Sequence, residues 1–568
     1  HFLCGSFCVI RVSFNRFRWL ACDPTIKHFL LLSTARLLQK PAKDRKHAPL
    51  YSEPDTTMRI FRVLAAACSV AVAVAELGLS IDGVNPLVVR AEYAVRGRLL
   101  DKAVELERDL KAGKPMPFSR IVRCNIGNPQ ALGQKPLTFV RQTLSLVVNP
   151  ALLEEPAVLS LYPEDVTARA KDFLSAVPSA GAYSDSQGIA LVRQHVAEFI
   201  SARDGGVAAD PNDVFLTDGA SAGVKALMTL MIRGPLDAVL VPVPQYPLYS
   251  ATTTMLNGTL APYYLDEDSA WGVTEAELQR SLDAVGVTHG PMGAKARAIV
   301  VINPGNPTGQ SLPQSAVEGI LKFAATNGLV VMADEVYQEN VYGGAPGFTS
   351  FKRALVNLQT TNPELAAKAQ LVSFHSTSKG FIGECGLRGG YFELQNIPQD
   401  VRAQLTKLAS VSLCSNVIGQ FATGLMVKPP LPGQPSFEAY QQERESTLSS
   451  LESRAIHVAK ALNALPGVTC NKAEGAMYLF PKVHLPSGAV AAAGEAGMAA
   501  DEFYCIKLLE ATGLVVVPGS GFNQVEGTFH FRTTFLPPED MLKDVLPKLE
   551  AFQKQFMASY GGGDGGEL

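Results

Sequence analysis

Short apolar segments alternate with helical stretches through the middle of the chain, between Asp210 and Phe392. Two of the intervening stretches, 222–232 and 314–326, have the composition of helices. Strands that are apolar on both faces are typical of parallel sheets covered by helices on each side. The alternation therefore predicts an α/β fold with a mostly parallel sheet. The predicted strands are 214–217, 238–243, 298–302, 329–333 and 371–375.

The C-terminal part of the chain has a different pattern. A proline-rich segment, 429–436, precedes a long polar helix predicted over 438–465. Short strands follow that helix, which predicts a second, smaller α+β domain. The Gly- and Ala-rich stretch 487–497 is expected to be a surface insertion. The short strands are predicted near 476–480, 514–517 and 528–534.

A chain of 568 residues is too long for a single compact core, so at least two domains are expected. Helical spacing of charged residues also predicts a helix over 87–111, before the sheet begins. The predicted division is a leader over 1–84, an N-terminal arm with part of the small domain over 85–170, a large domain over 171–425, a C-terminal small domain over 426–560 and a flexible glycine tail over 561–568.

Charge and cysteine content argue against several classes of protein. The net charge is −3, and the first 50 residues carry an excess of seven positive charges, so the body is acidic. This distribution gives no electrostatic case for a nucleic-acid partner. The nine cysteines include no zinc-finger or Cys-x-x-Cys pair, which indicates reduced thiols in an intracellular compartment. No His, Cys, Asp or Glu set has metal-ligand spacing, so no metal is expected.

The strongest chemical signal is the segment Ser376-Thr377-Ser378-Lys379-Gly380, directly after a predicted strand. A lysine in such a turn could bind phosphate, could form a Schiff base if burial keeps its amine neutral, or could be an exposed loop residue. Neither a Walker motif nor a strand-linked G-x-G-x-x-G is present to support a nucleotide-binding fold.

Other motifs follow predicted strands in a fixed order. An Asn-Pro-rich turn that contains Asn306 comes first, followed by Asp334-Glu335-Val336-Tyr337, the lysine segment and a turn that contains Arg388. Each motif alone could be a turn or a helix cap. All of them are expected at the carboxyl ends of parallel strands, the edge at which open α/β sheets bind ligands.

In this order the motifs resemble those of type I pyridoxal-phosphate (PLP) enzymes. The longer segments 181–184, 244–249, 302–310, 333–338, 374–380, 517–522 and 530–532 are similar to the alanine aminotransferases, and the similarity covers roughly residues 85–558. The resemblance implies a large domain with a mostly parallel seven-stranded sheet flanked by helices, together with a smaller α+β domain. It also implies a PLP-dependent aminotransferase that moves the amino group of L-alanine to 2-oxoglutarate by a ping-pong course.

The resemblance assigns cofactor roles to individual residues. Lys379 would hold the cofactor aldehyde and then move the proton of the substrate α-carbon. Asp334 would keep the pyridine nitrogen protonated, and Tyr246 would stack on the ring face. Asn306 and Tyr337 would bond the phenolic oxygen of the cofactor.

The remaining roles concern the phosphate and the substrate. The phosphate would lie at a helix N-terminus. Arg532 would clamp the substrate carboxylate, and Gly127 belongs to a segment that would close over the substrate. Tyr183 would reach the phosphate of a neighbouring subunit, which implies a homodimer with shared sites. The expected phosphate contacts are Gly219, Ala220, Ser221, Ser376, Ser378 and Arg388.

The leader contains a possible targeting signal. Arg59 and Arg62 precede an apolar run over 63–75, which is shorter than the roughly 20 residues of a membrane span. The stretch fits a mitochondrial presequence and a secretory signal peptide about equally, and an unprocessed leader is a third reading. Because the resemblance implies an intracellular cofactor enzyme, the mitochondrion is the expected compartment, with the cytoplasm as the alternative.

Three rival functions remain open at this point. Glutamate–glyoxylate aminotransferases resemble the same family, although the chain ends in Gly566-Glu567-Leu568, which is not a Ser-Lys-Leu-type peroxisomal address. A non-catalytic regulator with this fold would need a basic DNA-binding module, which the sequence does not supply. A PLP lyase would share the cofactor site but would release elimination products.

Overall fold

The computed structural model describes residues 81, 83–93, 97–287, 293–343 and 347–561, and the residues from Val84 onward form one compact unit. Nearly all of the predicted leader, including its apolar run, and the glycine tail beyond Gly561 lie outside the described residues. The strands are β1 (Val122–Arg123), β2 (Val214–Thr217), β3 (Asp237–Val243), β4 (Thr259–Tyr264), β5 (Lys295–Ile302), β6 (Val330–Asp334), β7 (Gln370–Ser376), β8 (Gly390–Gln395), β9 (Val468–Thr469), β10 (Tyr478–Leu479), β11 (Lys482–Val483), β12 (Leu514–Val515), β13 (Val517–Pro518) and β14 (Phe531–Thr534).

A seven-stranded sheet forms the centre of the fold, in the order β2-β8-β7-β6-β5-β3-β4. Strands β3 to β7 pair in parallel, and β8 is antiparallel to both of its neighbours. The mostly parallel sheet predicted from the sequence is therefore confirmed. All seven residues of β3 are buried, as expected for a strand covered on both faces.

Helices cover the sheet and build the rest of the unit. Apolar clusters on the two sides of the sheet bury residues such as Ala333 and Leu321 on one side and Met332 and Val224 on the other. The α-helices are Pro86–Arg90, Arg98–Lys111, Thr138–Val148, Pro156–Leu159, Glu164–Ala176, Ala190–Arg203, Ala220–Met231, Pro247–Met255, Glu275–Val287, Gln314–Asn327, Phe351–Thr361, Pro363–Ala366, Gln399–Val411, Val417–Val427, Phe437–Asn463, Ser487–Glu495, Ala500–Thr512 and Glu539–Tyr560.

Small sheets join the two ends of the described chain. Strand β1 pairs in parallel with β12, and β14 lies between β10 and β13 with antiparallel pairing to both. One apolar cluster includes Leu106 near the start of the chain and Leu451 and Phe552 near its end. The N-terminal helix Arg98–Lys111 thus shares a core with the C-terminal elements. The exact boundaries between domains stay a prediction.

Two sequence-based expectations differ from the structure. The helix predicted over 87–111 is two helices, and the first one ends where Ala91 takes an extended conformation. The stretch 487–497 was expected to be a surface insertion, but it forms the helix Ser487–Glu495, which buries Ala489 and Ala493 in the C-terminal core. Most of the stretch is exposed or half-buried, so it lies at the surface as expected, but small side chains on one face let it pack against the core as a helix.

Across the described segments between positions 81 and 561, no helix has the combination of length and hydrophobicity that a membrane crossing needs. The features that matter for function lie at the carboxyl edge of the sheet. Strand β6 ends at Asp334, β7 ends at Ser376, and Asn303 follows the end of β5. These parallel neighbours bring their carboxyl ends to the same edge, as the sequence predicted.

Candidate active site

A cavity of about 330 Å³ opens at this edge. It is lined by residues from the sheet edge, from the segment around Gly127 and from the C-terminal strands β10 and β14. All of the sequence-predicted site residues line it except Gly219 and Tyr183. The predicted residues in the lining are Gly127, Ala220, Ser221, Tyr246, Asn306, Asp334, Tyr337, Ser376, Ser378, Lys379, Arg388 and Arg532.

Lys379 lies in the turn that follows β7 and is only partly exposed. Its Nζ donates a 2.8 Å hydrogen bond to the backbone oxygen of Gly127. The turn is fixed on both sides of the lysine, because the Ser378 N–H donates to Oγ of Ser376 and the Gly380 N–H donates to Oδ1 of Asn340. The amine is therefore presented to the cavity by a rigid backbone, not by a mobile surface loop.

Asp334 ends the central strand β6 and is buried. Its Oδ2 accepts a 2.7 Å hydrogen bond from the phenol of Tyr249, while Oδ1 has no partner among the described residues. Burial raises the pKa of this carboxyl, and the Tyr249 hydrogen bond, the backbone N–H of Val336 and the charge of Lys379 oppose that rise. A buried carboxylate oxygen without a partner is costly unless a cationic or N–H group of a ligand occupies the cavity.

Arg532 is the buried cation of the site. It lies on β14, with Nη1 donating to Oδ1 of Asn306 at 3.0 Å and Nη2 donating to the backbone oxygen of Asn125. Among the described residues its Nε has no hydrogen-bond partner, and its hydrogen bonds go to an amide oxygen and a backbone oxygen instead of a carboxylate. A guanidinium with free N–H groups in a cavity is suited to bind a carboxylate through two hydrogen bonds.

A second set of donors lies at the start of the helix Ala220–Met231. Gly219 caps this helix with a φ of 75°, and a Cβ there would lie 2.7 Å from Nη2 of Arg388. The positive φ favours glycine at this cap, and the absence of a side chain leaves room for the Arg388 guanidinium beside the helix start. Arg388 donates to the backbone oxygens of Asp218 and Cys385 and has no carboxylate partner in the described chain. Free N–H groups at the start of a helix, beside an arginine without a carboxylate partner in the described chain, favour the binding of an anion.

Four tyrosines surround the cavity. The hydroxyl groups of Tyr246 and Tyr93 are 3.1 Å apart, and Tyr337 donates a 3.3 Å hydrogen bond to the hydroxyl of Tyr478. Burial opposes ionisation of Tyr478, but the charges of Lys379 and Arg532 outweigh it and lower the pKa of the phenol. The site is therefore positively charged around that hydroxyl group.

Tyr183 lies apart from these residues. Its side chain is 76% exposed and does not line the cavity of its own chain. Its expected contact with a neighbouring subunit stays a prediction.

Several residues of the site received no role from the sequence, and Tyr249 and Tyr478 make the most informative contacts among them. Tyr249 bonds Asp334 from the helix Pro247–Met255, one turn beyond Tyr246, and this spacing could have indicated that both side chains face the same way. Tyr478 lies on β10, far along the chain from every predicted motif. No local pattern marks it, because only the folded chain brings it beside Lys379 and Arg532.

Comparison with known proteins identifies the family. A family model described as aminotransferase class I and II matches residues 154–549. The chain belongs to this family. Its members are PLP-dependent transaminases of fold type I, so the resemblance drawn from the motifs is confirmed, together with the fold class, the enzyme class and the cofactor.

Individual relatives cover most of this aminotransferase. Alanine aminotransferase 1, mitochondrial, from Arabidopsis thaliana is 50% identical over 487 residues, which are 85% of this chain and 88% of the relative. Glutamate–glyoxylate aminotransferase 1 from the same plant is 48% identical over 483 residues, which are 85% of this chain and 97% of the relative. A solved alanine aminotransferase from Pyrococcus furiosus has a TM-score of 0.64 at 24% identity, covers 83% of this chain and 100% of its own, and supports the fold.

The residues in the cavity of this aminotransferase fit PLP. The unpartnered Oδ1 of Asp334 suits a protonated ring nitrogen, and the anion-binding donors near Gly219 suit a phosphate. The amine of Lys379 lies in the same cavity and suits an aldehyde. Three chemically different groups of one cofactor thus find matching groups on the protein.

Proposed function

We propose that this aminotransferase exchanges the amino group of L-alanine with 2-oxoglutarate, giving pyruvate and L-glutamate. The proposal depends above all on one observation, the amine of Lys379 and the unpaired oxygen of Asp334 lining the same cavity. The alanine aminotransferase of A. thaliana, at 50% identity over most of both chains, supports the substrate pair.

Asp334 and Tyr249 are proposed to act on the ring of the bound cofactor. When bound, PLP supplies an aldehyde that a primary amine can capture and a protonated ring that draws electrons away from the substrate α-carbon. Asp334 would hold the ring-nitrogen proton through Oδ1, while Tyr249 keeps Oδ2 in place. Burial of Asp334 strengthens this interaction, because the surrounding protein screens charge less than water does.

Lys379 acts as the proton carrier in this proposal. Its Nζ would hold the cofactor aldehyde in the resting enzyme. Once free, the amine would take the proton from the α-carbon of the amino acid and would deliver it to the cofactor carbon. Positioned proton transfer of this kind contributes about 10²–10⁴-fold to a rate. The hydrogen bond from Nζ to the Gly127 oxygen keeps the amine inside the cavity before substrate arrives.

Other side chains hold the reactants in place. Tyr246 would pack on the ring face, while Asn306 and Tyr337 would hydrogen-bond the phenolic oxygen of the cofactor. Arg532 binds the α-carboxylate of each amino acid and 2-oxo acid in turn, and closure of the segment at Gly127 excludes water. The phosphate is held by Gly219, Ala220, Ser221, Ser376, Ser378 and Arg388.

A homodimer completes the site in this proposal. Tyr183 is exposed and outside its own cavity, so it is free to reach the phosphate held by a second copy. We also propose the mitochondrion as the compartment, which the name of the A. thaliana relative supports.

Glutamate–glyoxylate exchange is the second candidate, because an enzyme of that name is 48% identical to this chain. The test uses purified enzyme with L-alanine or L-glutamate as donor and 2-oxoglutarate, pyruvate or glyoxylate as acceptor. The proposal predicts the highest kcat/KM for L-alanine with 2-oxoglutarate and, in the reverse direction, for L-glutamate with pyruvate. A higher kcat/KM for glyoxylate than for pyruvate would favour the second candidate. Elimination products without keto-acid exchange would refute both.

A further inference from the structure

The guanidinium of Arg532 rests against two aromatic rings. Its central carbon is 4.4 Å from the ring centroid of Tyr478 and 4.9 Å from that of Phe522. All three side chains are buried. A guanidinium this close to a ring face is attracted to its π electrons, and the attraction is larger where water is excluded. The rings therefore supply part of the stabilisation that a buried arginine without a carboxylate partner needs.

The two rings leave the hydrogen-bonding edges of Arg532 available. Within the part of the chain that the structure describes, two of its nitrogens donate hydrogen bonds, to Asn306 and to the backbone oxygen of Asn125, and Nε has no partner. A carboxylate partner from the chain would have stabilised the cation as well, but it would have occupied the N–H groups that a substrate needs. Aromatic contact stabilises the charge and keeps those groups free.

Tyr478 also contacts the other side of the cavity. Its hydroxyl accepts the hydrogen bond of Tyr337, and a Cβ placed on Gly127 would lie 2.2 Å from that oxygen and 3.3 Å from Nζ of Lys379. The ring thus faces Arg532, and the hydroxyl lies near the lysine. A single side chain contacts both the proposed substrate clamp and the surroundings of the proposed proton carrier.

We infer that Tyr478 and Phe522 form an aromatic seat that orients Arg532 for the substrate carboxylate, with Tyr478 as a positioning residue of the reaction. The inference rests on the proposed function of Arg532. The seat acts through the ring faces, so it requires an aromatic side chain at 478 but not the hydroxyl group. Its contribution to carboxylate affinity is expected to be about tenfold, within the range of buried cation–π contacts.

The test compares Tyr478→Phe, which keeps the ring, with Tyr478→Leu, which removes it. Propionate is the probe, because it carries the carboxylate and methyl group of alanine but has no amino group to react. Its dissociation constant is measured by calorimetry on the holoenzyme, and the KM and kcat for L-alanine are measured beside it. Tyr504→Phe is the matched control, since Tyr504 is a buried tyrosine bonded to Gln553 on another part of the C-terminal core.

We expect Tyr478→Leu to weaken propionate binding about tenfold and to raise the KM for L-alanine more than it lowers kcat. Tyr478→Phe and Tyr504→Phe should bind propionate within about twofold of wild type. Phe522→Leu should weaken binding in the same direction as Tyr478→Leu, which keeps the inference testable if the latter does not fold. Unchanged affinity in the folded leucine variants, or an equal loss in Tyr478→Phe, would overturn the inference.

Arg532→Lys separates this inference from the proposed function. If Arg532→Lys weakens propionate binding and the leucine variants do not, Arg532 binds the carboxylate as proposed and the inferred role of the aromatic seat is wrong. If Arg532→Lys binds propionate as well as wild type does, the carboxylate lies elsewhere and the proposed role of Arg532 fails first.

Discussion

Tyr249 donates a 2.7 Å hydrogen bond to Oδ2 of Asp334, whereas Oδ1 accepts no hydrogen bond from the described residues. The satisfied oxygen fixes the orientation of the side chain, and Oδ1 is left for a ligand. The bond also favours the ionised form of Asp334 against the effect of burial. Tyr249 therefore controls both the geometry and the charge of the residue that is proposed to hold the cofactor ring.

The first prediction concerns Tyr249→Phe. Removing the hydrogen bond raises the pKa of Asp334 further, because burial is then less opposed. Since the cofactor requires the ionised carboxylate, the loss of PLP affinity at low pH should begin at a higher pH than in wild type. The measurement is the PLP dissociation constant, titrated by absorbance from about pH 5 to 8.

Tyr263→Phe is the control for this experiment. Tyr263 is also a buried tyrosine and lies in strand β4, but its hydroxyl donates to the backbone oxygen of Val300 and not to Asp334. Its pH dependence of PLP binding should match that of wild type. If Tyr249→Phe lost its affinity for PLP only at a lower pH than wild type does, the proposed role of Tyr249 would be wrong.

The second prediction concerns Gly127→Ala. A Cβ at this position would lie 2.2 Å from the hydroxyl oxygen of Tyr478 and 3.3 Å from Nζ of Lys379, so the segment or the tyrosine must move. We expect kcat/KM for L-alanine to fall at least about tenfold, because small displacements of reacting groups are costly. The added mutation Tyr478→Phe removes the colliding oxygen and should restore part of the loss.

Gly319→Ala is the matched substitution. Gly319 lies in the helix Gln314–Asn327 with open space around the missing Cβ. Alanine there should leave kcat/KM unchanged and raise the free energy of unfolding by about 0.5–1 kcal/mol. If the Gly127 variant behaved like the Gly319 variant, close packing at Gly127 would have no role in catalysis.

The third prediction concerns Arg388→Lys. The lysine keeps the charge but loses the planar fork that donates to Asp218 and Cys385 while facing the predicted phosphate site. The PLP dissociation constant should rise about tenfold, and kcat at saturating PLP should change little. Arg280→Lys, at a surface ion pair with Glu277, should change neither value. A fall in kcat with unchanged PLP affinity would indicate that Arg388 contacts the reacting groups instead.

The fourth prediction concerns stability in acid. Burial, together with the nearby charge of Arg203, lowers the pKa of His375 to about 3. Below about pH 6.5 the unfolded chain binds a proton that the folded protein does not, so the free energy of unfolding falls as the pH falls towards 3. His375→Phe should show a shallower fall, since a phenyl ring can pack between Phe199 and Tyr391 without titrating.

Chemical denaturation at several pH values measures this effect. The exposed His457→Gln variant is the control and should follow the wild-type curve, because that ring is in water in both states. An equally steep loss of stability in the His375 variant would assign the acid sensitivity to other groups.

The sequence predicted the sheet where strands are continuously apolar and missed it where they are not. Strand β4 alternates buried and exposed residues at the edge of the sheet, so it lacks the apolar run of its neighbours. Strand β8 contains Glu393, whose charge interrupts the pattern. In the fold that carboxylate is buried with Lys352 at 2.5 Å, a tertiary contact that no local pattern reveals.

The same limit applies to the active site. Lys379 and Asp334 could be predicted because each lies at or just after the end of a parallel strand within a recognisable motif, and parallel strands bring such positions together. Arg388 reaches the same edge because it lies just before β8, which runs antiparallel to β7. Tyr478 could not be predicted, because its role depends on β10 pairing with β14, which carries Arg532. Pairing between short strands so far apart in the chain has no sequence signal of its own.

The account depends most directly on the covalent partner of the cofactor. Reduction of the PLP-loaded enzyme with borohydride, followed by peptide mass spectrometry, fixes the cofactor on whichever amine holds it. We expect the label on the peptide that contains Lys379, and no label when Lys379→Ala is treated in the same way. A label on another lysine in wild type, or the same labelling in the variant, would contradict the account.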